Sequence, residues 1–204
     1  MMRLDVRAAL FLRRATRLGC ALGRDARATA AVEAALILPV ALTMLALLLY
    51  GAEAFDAQRR VTLTARTATD LITQTTPSYP SGTPSIAQSQ VDTDLAFAAF
   101  VIQPFAASSL SMVASEVLVN ADQATATVKW SEPYNGATAR APGSTITLPT
   151  GLGSGQVGNY FVLGEVYYAF TPLNLFTQLS AITLHDAIYL TPRTSASFNF
   201  LAGQ

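Results

Sequence analysis

Residues 28–51, ATAAVEAALILPVALTMLALLLYG, constrain this chain more than any other stretch. No charged side chain lies between Ala34 and Tyr50, and the nearest charge, Glu33, sits at the N-terminal edge. Only Thr43 interrupts the apolar run, whereas an amphipathic core helix carries polar residues on every turn. At ~1.5 Å per residue the run reaches about 25 Å as a helix, close to the ~30 Å hydrocarbon core of a bilayer. Leu36, Leu38, Leu42, Leu45, Leu47, Leu48 and Leu49, with Ile37 and Val40, favour insertion by about 3–5 kcal/mol in sum. Glu33 at the edge opposes this by less than the ~2.5–3.5 kcal/mol of a central charge. Pro39 falls near the start of the span, where few backbone hydrogen bonds are lost.

Arginine placement sets the expected orientation. Residues 1–29 carry Arg3, Arg7, Arg13, Arg14, Arg17, Arg24 and Arg27 against Asp5 and Asp25. Residues 67–204 carry only Lys129, Arg140 and Arg193 against eight acids, so a formal net charge of zero hides a strong asymmetry. The positive-inside rule places the N-terminus in the cytoplasm and the bulk of the chain outside. Ala52-Glu53-Ala54 has the shape of a signal-peptidase site. The run is longer than a usual signal core, however, and helical patterning continues through that tripeptide, so the expectation is an anchor.

The expected fold class is α+β: a long N-terminal transmembrane helix that continues into a small extracytoplasmic domain with a short helix and an antiparallel sheet. Four segments are read: a basic leader (1–29), a transmembrane and stalk helix (30–76), a Pro/Ser linker (77–90) and an α+β domain (91–204). Beyond Tyr50, Ala54, Ala57, Val61, Ala65, Ala68 and Ile72 recur at spacings of three and four, which predicts an amphipathic second half of the helix, ended at Thr75-Thr76-Pro77. A short helix is predicted over 91–102, stopped by Pro104, with Asp92 or Asp94 in its first turn. Strands are predicted over Val113–Val119 and Thr125–Trp130, joined by a turn at 120–123, over Tyr160–Phe170, and over Leu184–Leu190 and Thr194–Phe200, which would close the sheet. ITLP reads as a brief extended piece and Asn174–Ser180 as a helical turn.

Chemistry-bearing motifs are sparse. Cys20 is the sole cysteine, so no intrachain disulfide forms, and His185 is the sole histidine, so a histidine-clustered metal site is excluded. His185 lies in a predicted strand and reads as a packed histidine. The GxGxxG at 153–158 lacks the strand before it and the helix after it that a dinucleotide site needs, and reads as a loop. An acidic outer domain offers no basic patch for nucleic acid. No catalytic, metal or cofactor residues are assigned, and neither an enzymatic activity nor a small-molecule substrate is expected. Glu33 has two readings: an interfacial carboxylate, or a charge that sets register by pairing with the amine of a neighbouring subunit.

The segments RDARATAAVEAALILPVAL and YGAEAFDAQRRVTLTARTATDLI resemble the N-terminal signature of TadE/TadG-like pilus assembly proteins, with Val32, Glu33, Ala35, Pro39, Arg59 and Arg66 at matching positions. VKWSEPYNG, LGEVYYAFTP and YLTPRTS resemble later blocks of that family. The resemblance implies a pilin-like, pseudopilin-type component of the Tad/Flp machine whose partners are the membrane, pilin and other assembly proteins. It also implies prepilin-peptidase cleavage between Ala28 and Thr29, which would make Glu33 the fifth residue of the mature chain. Ala28 stands where the pattern prefers glycine, and Ala34 where it prefers an aromatic residue. Helix packing with partners would use Glu33, Ala35, Pro39, Ala41, Ala46, Gly51, Arg59 and Arg66, the small residues permitting close approach. The alternative from a different class is a membrane-anchored periplasmic binding or sensor domain that uses the helix as a stalk.

Overall fold

The computed structural model describes residues 26–76, 84–171 and 180–203, with side chains from Thr29 onward. The leader to residue 25, residues 77–83 of the linker and residues 174–179 of the helical turn predicted over Asn174–Ser180 lie outside the described residues. The chain divides into two compact units, Met1–Gly51 and Ala52–Gln204. Helix α1 runs over Ala26–Gln74 and contains Pro39, so the helix is continuous in secondary structure across the division.

In the first unit α1 leaves its apolar side chains uncovered: Leu36, Leu42, Leu45 and Leu48 are 53–69 % exposed. From Thr29 to Gln74 the helix is long and apolar enough to cross a membrane. In the second unit the predicted stripe is buried, with Ala57, Val61, Ala65 and Ile72 fully enclosed and Ala68 nearly so. The spacing expected from sequence is therefore present, but its covering is this chain's own sheet. That corrects the division into a 30–76 stalk and a separate domain: residues 52–74 are the domain's core helix. Burying a side chain such as Ile72 contributes about 1.5–3 kcal/mol.

The sheet is five-stranded and antiparallel throughout. Its strands are β2 (Leu110–Val119), β3 (Thr125–Tyr134), β4 (Thr145–Thr147), β5 (Tyr160–Phe170) and β6 (Ile182–Leu190), in the order β4-β3-β2-β5-β6. Alternation of side chains assigns Leu110, Met112, Ala114, Val162, Val166 and Tyr168 to the core that contains the α1 stripe. The other face carries a smaller cluster with Val117, Val128 and Phe161, beneath Leu148 of the β4–β5 loop. Gly164 lies where α1 meets β5: a Cβ there would fall 2.1 Å from Thr69 Oγ1, so only glycine allows this helix–sheet distance.

The 120–123 turn forms as expected. The Asp122 carboxylate accepts from the Ala124 and Thr125 amides and from the Thr125 hydroxyl, which fixes the hairpin. Gly153 of the glycine-rich loop packs on this turn, where a Cβ would meet the Gln123 carbonyl at 2.2 Å.

Three boundaries differ from expectation. Helix α2 starts earlier, at Gln88, runs to Ala98 and continues as a 3-10 turn over Ala99–Ile102. Asp92 and Asp94 are consequently mid-helix; Asp94 is buried and accepts from Thr75 Oγ1 and Gln90 Nε2, which ties α2 to the end of α1. The linker shrinks because β1, Ser85–Ala87, is a strand. Residues 194–200 do not close the sheet. Only β7, Asn199–Leu201, is extended, and it pairs in parallel with β1 as a separate two-stranded sheet. The physical reason lies just upstream: the Arg193 amide donates to Thr73 O and its guanidinium pairs with Asp70, drawing the chain over the end of α1 and away from β6.

Candidate functional site: the anchor helix and the buried carboxylates

Of the residues expected to act along the helix, Thr29, Glu33, Ala35, Pro39, Ala41 and Gly51 are exposed and Ala46 is half-buried. The Ala28–Thr29 bond lies inside α1 rather than ahead of it. At ~3.6 residues per turn, Ala35, Pro39 and Ala46 share one face, while Glu33 and Gly51 lie on the opposite one. The first unit thus presents two faces, not a single small-residue seam. A Cβ on Gly51 would meet nothing within 4 Å. Thr43, the one polar residue in the run, donates its hydroxyl to Val40 O and so satisfies itself within the helix.

In the second unit Arg59 and Arg66 are exposed and, seven residues apart, share the outward face of α1 with Phe55 and Leu63. Arg66 lines a cavity of about 610 Å³ with Asp70, Leu152, Tyr189 and Arg193. Arg60, not singled out from sequence, ties α1 to its surroundings. It pairs with Asp56 one turn back, donates to the Gln103 carbonyl and lies over the Phe105 ring, 6.0 Å from its centroid.

The strongest electrostatic features were not legible as motifs. Glu116 of β2 is buried at 1 % exposure. One carboxylate oxygen accepts the Trp130 indole N–H at 3.0 Å and the other accepts the Phe198 amide at 2.9 Å. Burial pushes the Glu116 carboxyl up to about 7, against the pull of those two hydrogen bonds and of Lys129. Trp130 stacks on Phe200 with ring centroids 5.1 Å apart, so one side-chain cluster fastens the C-terminal segment to the sheet. Beside it opens a cavity of about 710 Å³ lined by Glu116, Lys129, Trp130, Tyr160 and Phe200 among others.

On the opposite face of the sheet Glu165 of β5 is also buried, but it is paired. Arg140 grips it with a two-pronged fork, Nε to Oε2 at 2.7 Å and a terminal nitrogen to Oε1 at 2.6 Å. The Tyr167 hydroxyl donates to the same carboxylate at 3.2 Å. The Arg140 amide donates to Ser131 Oγ, which also accepts from Ser115 Oγ at 2.8 Å, so the 136–144 loop is tied to the centre of the sheet. The hydrogen bond with Glu165 holds the Arg140 guanidinium above its ordinary range. His185 is exposed and stacks on Tyr167 of the neighbouring strand at 4.4 Å. Glu132, on the α1 side, accepts from Gln88 Nε2, and burial raises its carboxyl.

The signal that could have found Glu116 and Glu165 was present in the sequence: each is a lone acid inside an apolar strand. A buried carboxylate without a partner is costly, so such a residue implies a donor elsewhere in the fold. Sequence alone does not say that Trp130 and Arg140 are those donors. Comparison with family models, with curated proteins and with solved structures finds no match to this chain.

Proposed function

We propose that this protein is a non-enzymatic, membrane-anchored, pseudopilin-like component of a Tad/Flp-type pilus assembly machine. The observation that carries this reading is the contrast within α1. Its first half exposes a continuous apolar surface, and its second half is the core of a small α+β domain. A helix built this way suits a lipid environment at one end and a folded head at the other. The arginine-rich leader supports a cytoplasmic N-terminus and a periplasmic head at a bacterial inner membrane.

The three later blocks of the family resemblance fall on residues that hold the head together. VKWSEPYNG contains Trp130, which serves Glu116, and Asn135, whose amide reaches Leu110 O. LGEVYYAFTP contains Gly164 and Glu165, and YLTPRTS contains Arg193, which pairs with Asp70. These blocks support a shared head fold. The pilus role itself rests on the N-terminal block and on Glu33.

The test is co-purification of the full chain with pilin and other pilus assembly proteins from solubilised membranes, beside a Glu33→Ala variant. Recovery of those partners with the native chain and their loss with the variant, while both remain membrane-inserted, is the expected result. Equal recovery removes the register role of Glu33, and no recovery with either chain removes the pilus reading. Mass spectrometry of the membrane-extracted N-terminus decides processing: a start at Thr29 means cleavage, and an intact leader means a permanent anchor.

A second reading, an anchored binding or sensor domain, is favoured by the cavity of about 710 Å³ beside Glu116, which falls in the ~300–1,000 Å³ range of ligand sites. Retention of a small molecule by the purified full chain, released on denaturation, would favour it.

A further inference from the structure

Of the large apolar side chains that the described residues of the second unit leave exposed, Phe55, Phe100 and Ile182 gather at one end, with Phe97 three residues before Phe100, whereas Leu63 lies further along α1 and Val157 at the other end. Phe55, on the second turn of this unit, is 75 % exposed, Phe100 is 65 % exposed and Ile182 is 54 % exposed. All three belong to one end of the domain. Arg60, a little over one turn beyond Phe55, donates to the Gln103 carbonyl, and the Gln103 amide donates back to Phe100 O. Phe105 follows directly and packs edge-on against Tyr168 and Phe170. Ile182 is the register partner of Phe170 at the start of β6. Ordinary soluble surfaces scatter single apolar residues; an aromatic and aliphatic cluster at one end marks a contact surface.

We infer that this end of the domain, bearing Phe55, Phe100 and Ile182, rests in the interfacial layer of the lipid bilayer. The inference builds on the anchor reading proposed above. The occupant follows from chain continuity. Ala52 opens the second unit and follows Gly51 directly, and the uncharged run ends at Tyr50. Phe55 follows Tyr50, the last residue of the apolar run, by only five residues, a tether of at most about 18 Å even when fully extended, too short to carry this end far from the bilayer surface. Phenylalanine and aliphatic side chains on one apolar face are favoured at the boundary between headgroups and acyl chains. Arg59, exposed and one turn beyond Phe55, suits lipid phosphate. At the far end of β2, by contrast, the exposed Val157 stands in a loop whose neighbours, Gly158 and Asn159, bond to Val119.

The experiment uses the full chain, with Cys20→Ser, reconstituted in vesicles of phosphatidylethanolamine and phosphatidylglycerol. Single nitroxide labels are placed through Leu45→Cys, Phe100→Cys, Ile182→Cys and Val157→Cys, all at exposed positions. Collisional access to oxygen, which concentrates in lipid, is compared with access to a water-soluble nickel chelate. The expected result is an oxygen-to-nickel ratio at 100 and 182 several-fold above that at 157, and highest at 45. A high ratio at 45 with 100 and 182 matching 157 overturns the inference and leaves the anchor standing. A low ratio at 45 overturns both. Low access to both reagents at 100 and 182 means that a protein surface, not lipid, covers this end, and also overturns it. A Phe100→Asp exchange in the 182-labelled chain should shift that label toward water.

Discussion

Trp130 donates its indole N–H across the β2–β3 pair to a Glu116 carboxylate that is 1 % exposed. The folded protein holds the Glu116 carboxyl near 7, against an ordinary value of 4.5, so folding favours the neutral acid. The stability this contributes is fully present below about pH 4.5 and is lost as pH rises through about 7. Thermal unfolding of the detergent-solubilised chain should therefore show a falling midpoint across that window, and Glu116→Gln should flatten the dependence. Trp130 is the single tryptophan, so its fluorescence should titrate with a midpoint near neutrality in the native chain and not in the variant.

Gly164→Ala should destabilise the domain by about 1–3 kcal/mol, because the added methyl must displace α1 or force Thr69 off its rotamer. The Thr69 hydroxyl that stands in the way donates to Ala65 O. Thr69→Ala in the same chain should recover part of the loss, giving a non-additive double-mutant cycle in chemical denaturation. Additive effects would mean that the two residues do not meet.

Arg140→Ala leaves a buried Glu165 carboxylate with only the Tyr167 hydroxyl. Because the Arg140 side chain is itself 36 % exposed, water softens the effect, and a loss of about 1–3 kcal/mol is expected rather than that of a fully enclosed pair. Arg140→Lys should fall between, since one ammonium cannot reproduce the fork. Unfolding midpoints of the three chains at one pH provide the check.

Ile72→Ala should cost about 2–5 kcal/mol, as expected for truncating an enclosed side chain. Leu48→Ala, at a position 69 % exposed, should leave unfolding of the head unchanged. Circular dichroism melts in one detergent compare the two. Similar losses would mean that the head and the exposed run unfold as one unit.

Periodicity made the long helix, the 120–123 hairpin and β5 legible, because each follows from local spacing and turn chemistry. It did not reveal what covers each face. The stripe from Ala57 to Ile72 reads the same whether a partner helix or the chain's own sheet lies against it, and the sheet proved to be the cover. The β1–β7 pair was invisible for a different reason: three-residue strands carry no period, and their pairing depends on Arg193, Glu116 and Trp130 bringing distant segments together. The lone strand acids were visible as anomalies without visible solutions. The small residues of the first unit were readable, but helical geometry divides them between two faces.

Residues 52–74 have a consequence for how the head can be set free. A protease acting near Gly51 would leave the helix in the domain and liberate an intact particle. A cut just after Gln74 would leave that helix held by packing alone, and its departure would turn Ala114, Val162 and Val166 toward water. What came loose would be a bare sheet prone to clumping, so release of an intact head requires a cut before Ala57, the first fully buried residue of the helix.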